Sequence, residues 1–300
     1  MVEILQTWEW MTIYALRNHL YAFWLALPGF LLKLLYLDSN FLIVNSMYVM
    51  HCIVWTFGDY FFFHLARTIG GKQFAVYSLM IALSNETVIR YISHTSMNGI
   101  EGNLTMAALY YYLQLRPEIG CKNLTKMTIL ITITFLARSS SLASWIPLAV
   151  LKVAENVDFI VPIIVAGLTV TIPFCIASTL LDSYYYGALT VPQYNFIGIN
   201  VLENLSIYFG IDPWYYYIEQ MHLEFGSWYA LSTFGFSLIT VKQLSGTLYA
   251  YNREMREKGM QRSQIPTLLV YVVTMVFMLS SVDHKERRFY APITQLACLC

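Results

Sequence analysis

Long apolar runs, repeated along nearly the whole chain, constrain this sequence more than any other feature. They lie at 20–37, 43–66, 73–93, 104–115, 127–151, 159–181, 227–249 and 265–282, with another beginning at 289–300. A bilayer core about 30 Å thick needs about 20 residues of helix to cross it. The fourth run is short, and the fifth is interrupted at Arg138-Ser139-Ser140-Ser141. The pattern predicts roughly seven to nine spans. Lipid offers no partner for an open backbone, so each span is expected to be a helix. The runs are continuous rather than alternating, which argues against a closed barrel of strands. The expected fold class is therefore an all-α integral membrane protein, read as a single polytopic membrane domain over residues 1–300.

Composition supports that reading. Hydrophobic residues make up 57% of the chain and charged residues 12%, about half the charge of an average soluble domain. The 23 Tyr and 7 Trp suit positions at the level of lipid headgroups. Net charge is zero, which gives no basic field for nucleic acid. The five cysteines form no C-x-x-C pair, and no zinc site or disulfide framework is read from them. The N-terminus lacks the basic-then-apolar order of a signal peptide. The chain ends a few residues into a fresh apolar run. Both ends therefore read as those of a fragment.

Charge asymmetry orients the C-terminal half. Residues 252–262 hold three Arg and one Lys, and the positive-inside rule puts them in the cytosol. The run 265–282 then crosses, leaving Asp283–Arg288 on the opposite face. The run 227–249 crosses as well, so the long segment 182–226 shares that face. It carries a glycosylation sequon at Asn204-Leu205-Ser206, usable only on a luminal surface. Other sequons begin at Asn85, Asn103 and Asn123. The parity of the first 150 residues stays open.

Several polar groups interrupt this apolar background. Asp283-His284-Lys285-Glu286-Arg287-Arg288 follows directly on a span. It reads either as a snorkelling anchor or as a grip on an anionic group, with Lys285 and Arg288 on phosphate, Glu286 orienting one of them and His284 donating a hydrogen bond. Arg138, inside an apolar segment, reads as facing a wet cavity or a partner, or as a helix end. Segment 182–226 is amphipathic and dense in aromatics, among them Trp214 and Tyr217. It reads as an interfacial segment, as a platform for sugar rings, or as both. The stretch His94–Glu101 reads as a polar loop. Trp8-Glu9-Trp10 before Arg17-Asn18-His19 reads as an interfacial anchor. No phosphate-cradling glycine loop, H-E-x-x-H or nucleophile elbow is found.

Taken together, these segments resemble a family of membrane mannosyltransferases. His284-Lys285-Glu286-Arg287-Arg288-Phe289 resembles the family's H-K-E-x-R-F signature. Thr7-Trp8-Glu9-Trp10 with Leu16-Arg17-Asn18-His19-Leu20-Tyr21 resembles its T-W-E-W and L-R-S-x-x-Y. Phe135-Leu136-Ala137-Arg138, Leu181-Asp182-Ser183-Tyr184-Tyr185-Tyr186-Gly187 and Pro213-Trp214-Tyr215-Tyr216-Tyr217 resemble three further motifs, all in the family's order. Within the family, Gln193-Tyr194-Asn195-Phe196 and Asn200–Leu205 are similar to the type that adds the third mannose of the glycosylphosphatidylinositol (GPI) core. The tyrosine-rich motifs are also similar to the α-1,2-mannosyltransferase of the N-glycan precursor.

The resemblance implies a multi-pass protein of the endoplasmic reticulum membrane, a GT-C-like helical bundle with a long luminal amphipathic loop, truncated at both ends. It implies an inverting α-1,2 transfer of mannose from dolichyl-phosphate mannose to the GPI precursor glycolipid, with no cofactor and no metal. His284, Lys285, Glu286, Arg288 and Arg138 would bind the donor phosphate. Arg17, Asp182, Trp214 and Tyr217 would bind acceptor sugars. The family's acidic base belongs to a loop expected upstream of Thr7, which leaves Glu9 as the nearest carboxylate. The serines after Arg138 depart from the family's Pro-Thr. A chain without that loop is expected to be inactive as it stands. A transporter and a non-catalytic scaffold remain as rival classes.

Overall fold

The computed structural model describes residues 7–92, 96–115, 120–223 and 265–299. Among them every regular element is helical and no strand occurs. The run 227–249 and the basic segment 252–262 lie outside the described residues.

The first three α-helices start where a small polar side chain can satisfy a free amide. Helix α1 (His19–Leu34) is capped by Asn18, whose side-chain oxygen accepts from Leu20 N–H at 2.7 Å. Helix α2 (Asn40–Ser84) is capped by Ser39, and α3 (Met97–Leu113) by Ser96, which accepts from Gly99 N–H at 3.1 Å. Helix α4 (Gly120–Ala137) ends at Arg138, whose extended backbone (φ −147°, ψ 107°) breaks the run where the sequence placed an interruption. Three serines then form a 3-10 turn into α5 (Leu142–Glu155). Helices α6 (Ile160–Ala166) and α7 (Ile172–Tyr186) are joined by a π-helical turn. Helix α8 (Pro192–Ile197) begins on a proline and is followed by short π and 3-10 turns. Residues 216–223 are helical, α9 covers Ile265–Ser280, and α10 covers Ala291–Ala297.

Two departures from the apolar-run reading are instructive. Runs 43–66 and 73–93 are not two separate helices. They largely merge into the 45-residue α2, bent at Gly71, where φ is +81°. Only a glycine adopts that backbone without strain. At 1.5 Å per residue α2 would be about 68 Å long if straight, more than twice a bilayer core, so the bend divides it. Helix α3 begins well before its apolar run, at Met97, taking in Asn98 and Glu101 from the stretch read as a loop.

α3 is the central pillar. It packs most extensively against α2 and α4, and α10 closes over it as well. Its approach to α2 is unusually close, because Gly58 faces Asn103. A Cβ at Gly58 would lie 2.1 Å from the Asn103 side-chain oxygen. Small residues at helix crossings allow this backbone approach in membranes. Its Met106 and Leu109 pack with Phe62 and Leu65 of α2, Leu148 of α5 and Met275 of α9 in one core cluster, all essentially buried.

The outer surface is apolar. Phe41, Ile53, Val161 and Leu180 are each 60% or more exposed. Helix α2 and the helical stretch Val157–Tyr186 are long and apolar enough to cross a membrane, with only 11% of their most apolar windows buried. His19–Leu34 and Thr267–Ser280 are shorter apolar helices. Exposed apolar helix faces of this extent are what lipid, rather than water, accommodates.

Candidate functional site

Two polar clusters stand at one end of the helices, joined through the start of α3. The first forms where α1 begins and α7 ends. Asp182 is fully buried. Its Oδ1 accepts from the His19 backbone N–H at 2.7 Å and lies 2.9 Å from His19 Nδ1, while its Oδ2 accepts from Asn18 at 2.7 Å. Ser178 Oγ is bonded to Asn18 and stands 3.4 Å from the same carboxylate. The His19 ring stacks on Tyr185 at 4.9 Å and meets Trp10 and Tyr186 edge-on. Tyr186 donates to the Arg17 carbonyl at 2.7 Å. Arg17 in turn holds Glu9 through a two-pronged pair at 2.6 and 2.8 Å and directs its remaining amine at Met97 Sδ.

This geometry reassigns the expected sugar binders. Asp182 has no exposed surface, so it acts on any ligand only through His19 and Asn18. Arg17 spends its fork on Glu9, and Glu9 is neutralised by that pairing. Tyr217 is 0% exposed and lies against Tyr290, with ring centroids 5.8 Å apart. It packs in the core, and burial raises its hydroxyl pKa above the ordinary value. Trp214, by contrast, is 68% exposed and free to meet a ring or a headgroup.

The second cluster is the loop between α9 and α10. His284 Nε2 lies 3.0 Å from a Glu286 oxygen, and Arg288 grips the same carboxylate through two of its nitrogens. Burial alone would raise the Glu286 pKa, but the hydrogen bonds from His284 and Arg288 and their charges outweigh it and hold the group below its ordinary value. Lys285 corrects the sequence reading. It is only 5% exposed, and its ammonium donates to the carbonyls of Val282 (2.6 Å), Asp212 (2.9 Å) and Asp283 (3.4 Å). An ammonium has three protons to give, and here the main chain takes them all. Lys285 therefore clasps the loop instead of facing a phosphate.

That clasp also joins the loop to the segment 204–212. Asp212 N–H donates to the Asp283 carbonyl at 3.0 Å, and Asn204 donates to the Asp283 carboxylate at 2.7 Å. The two segments that charge asymmetry assigned to one face do meet. The sequon at Asn204 is thus engaged in a tertiary contact, and that at Asn103 is buried.

Arg138 reaches the loop from the end of α4. Its Nη1 donates to Glu101 Oε2 at 2.5 Å and approaches the Phe289 carbonyl at 3.5 Å, and its guanidinium lies 5.1 Å from the Phe289 ring centre. Among the described residues Nε and Nη2 meet no acceptor. Arg138 is therefore a largely buried cation of this cluster with donors to spare. Sequence reasoning missed Glu101 and Asn98. Both sit in the polar N-terminal turns of α3, and their three-residue spacing, which puts both on one helical face, was the available signal. Asn98 donates to the Arg288 carbonyl at 2.6 Å, so Met97 and Asn98 link the two clusters.

Comparison with known proteins agrees with the motif order. Residues 1–300 match the model of the Alg9-like mannosyltransferase family. The GPI alpha-1,2-mannosyltransferase 3 of Bos taurus is 27% identical over 96% of this chain and 48% of its own length. The protein of the same name in Homo sapiens is 26% identical over 96% of the chain and 47% of its length. GPI mannosyltransferase 3 of Candida albicans is 24% identical over 96% of the chain and 52% of its length. The chain spans about half the length of the curated relatives it matches. No solved structure matches it. With its whole length covered by the family model and the family's motifs gathered into two joined clusters, the chain belongs to the Alg9-like mannosyltransferase family.

Proposed function

We propose that this chain is part of a multi-pass, GT-C-like α-1,2-mannosyltransferase of the endoplasmic reticulum membrane, which moves mannose from dolichyl-phosphate mannose to the GPI precursor. The observation that carries the reading is the folding of the His284–Phe289 loop onto Arg138, which gathers cations beside a buried carboxylate at the end of an apolar bundle. Relatives named for GPI mannosyl transfer support the choice of acceptor. The exposed apolar faces of α1, α2 and α7 suit a donor whose lipid tail stays in the bilayer.

In this reading the bond from the mannose anomeric carbon to the phosphate oxygen breaks, and its electron pair leaves on dolichyl phosphate. An acceptor hydroxyl oxygen bonds that carbon from the opposite side, and its proton passes to a base. A phosphate leaves without added acid when fixed positive groups meet its developing charge. The spare donors of Arg138 serve that purpose, with His284 and Arg288 beside them. Glu9, Glu101 and Glu286 are each paired with a cation, and we assign none of them the role of base.

The test is complementation of cells lacking the third GPI mannosyltransferase by the full-length gene that includes this chain, reading surface GPI-anchored protein. Rescue by the wild type, lost in Arg138→Ala, is expected. Failure of the wild type, together with rescue of lipid-linked oligosaccharides in cells lacking the N-glycan α-1,2 enzyme, would overturn the acceptor assignment.

A further inference from the structure

We propose that the first turn of α3 is the positioning element of the donor site, with Glu101 aiming Arg138 and Asn98 holding the loop beside it. This rests on the reading of Arg138 as a phosphate binder.

Arg138 needs such a partner. It leaves α4 on an extended residue, so no helical turn restrains its long side chain, and an unrestrained arginine gives up much rotamer freedom when it grips a ligand. Glu101 removes that freedom in advance. Its carboxylate has no exposed surface and meets Nη1 directly. The Phe289 ring lies against the guanidinium. One edge of the planar fork is thereby fixed, and the other edge, Nε and Nη2, points away with its donors unused among the described residues. Donors set in place before the ligand arrives are what give an anion site its strength.

Packing alone accounts poorly for the pair. A buried ion pair is often no more stabilising than apolar residues of the same volume. The cluster is also richly polar. The Tyr271 hydroxyl stands near Glu101 with the hydroxyls of Thr105 and Ser144 beside it, and the second oxygen of Glu101 has no bonded partner among the described residues. Asn98, three residues earlier, takes the Arg288 carbonyl. Both halves of the site therefore hang from one rigid helix turn.

The experiment measures dolichyl phosphate binding to the purified chain in lipid nanodiscs, for wild type, Glu101→Gln, Arg138→Lys, the double variant, Glu101→Asp and Asn98→Ala. Glu101→Gln is expected to weaken binding about tenfold or more. The double variant should bind no more weakly than the worse single variant, because aiming matters only while the fork is there to be aimed. Asn98→Ala should cost a few-fold. Wild-type affinity in a folded Glu101→Gln protein, or additive losses in the double variant, would overturn the proposal. Should Glu101→Gln fail to fold, Glu101→Asp decides: it keeps the charge but withdraws it by one methylene, and unchanged binding would overturn the proposal. A wild type that binds no dolichyl phosphate would instead remove the donor assignment itself, and this proposal with it.

Discussion

Helices α2 and α3 run side by side and obey opposite rules. α2 turns Phe41, Tyr48, Ile53, Val76 and Met80 outward and keeps a mostly apolar set, Gly58, Phe61, Phe62, Leu65 and Ala66 among them, against its neighbours. α3 buries Asn98, Glu101, Asn103 and Thr105. In water this arrangement would be inverted. In lipid the surrounding solvent is as apolar as a core, so burial separates polar groups from hydrocarbon rather than apolar groups from water. A helix that is polar and central is therefore free to carry chemistry, while its apolar neighbour forms the wall.

The sharpest way to break the contrast is to leave the pillar half-charged. Arg138→Leu strands Glu101, and about 3–5 kcal/mol of stability should be lost, measured by unfolding in nanodiscs or mild detergent. The paired change Glu101→Leu with Arg138→Leu should restore most of that stability while complementation stays lost, separating what the pair does for folding from what it does for function. On the wall, Ile53→Lys should cost about 2.5–3.5 kcal/mol of membrane insertion if the residue lies near the bilayer centre, read from the inserted fraction in a translocation assay. A cost near zero would mean that this face of α2 is not lipid-covered. At the seam, Gly58→Val drives methyl groups into Asn103 and should destabilise by about 1–3 kcal/mol, visible as a lower melting temperature.

The smallest effect belongs to the exposed loop. Glu286 titrates below its ordinary value in the fold, so its pairing stabilises the protein above the unfolded-state pKa. That contribution fades as the pH falls through the folded value. Because the group is about one-third exposed, it should amount to less than about 1 kcal/mol. Glu286→Gln should abolish that part of the acid dependence, and an unchanged acid profile would mean that the pairing contributes nothing to stability.

Much of this was legible in the sequence because it depends on single residues in an apolar background. The break at Arg138 was signalled by an arginine in an apolar run, and charge asymmetry put 182–226 and 283–288 on one face, where the structure brings 204–212 against the loop. The polar start of α3 was not legible. Hydropathy reads Asn98 and Glu101 as solvent-seeking, and only the fold reveals that other protein groups replace the solvent. Lys285 misled for the opposite reason. A lysine in a charged run looks exposed, whereas the carbonyls that capture it come from Asp212 as well as its own turn. Asp182 and Tyr217 sit in recognisable motifs, but a motif does not say whether a side chain touches a ligand or supports one that does.

The contact between Asn204 and Asp283 carries a consequence for the order of assembly. Asn204 takes up a left-handed backbone (φ +50°) and spends an amide proton on Asp283, two segments separated by 79 residues of chain. A glycan on that nitrogen would replace one of its two amide protons with a bulky substituent and so compete with the clasp. Were this sequon used, the fraction of molecules glycosylated there would work as a clock. It would record how often the sugar-transfer machinery reaches Asn204 before the helix at Ile265–Ser280 has been made and has delivered its partner.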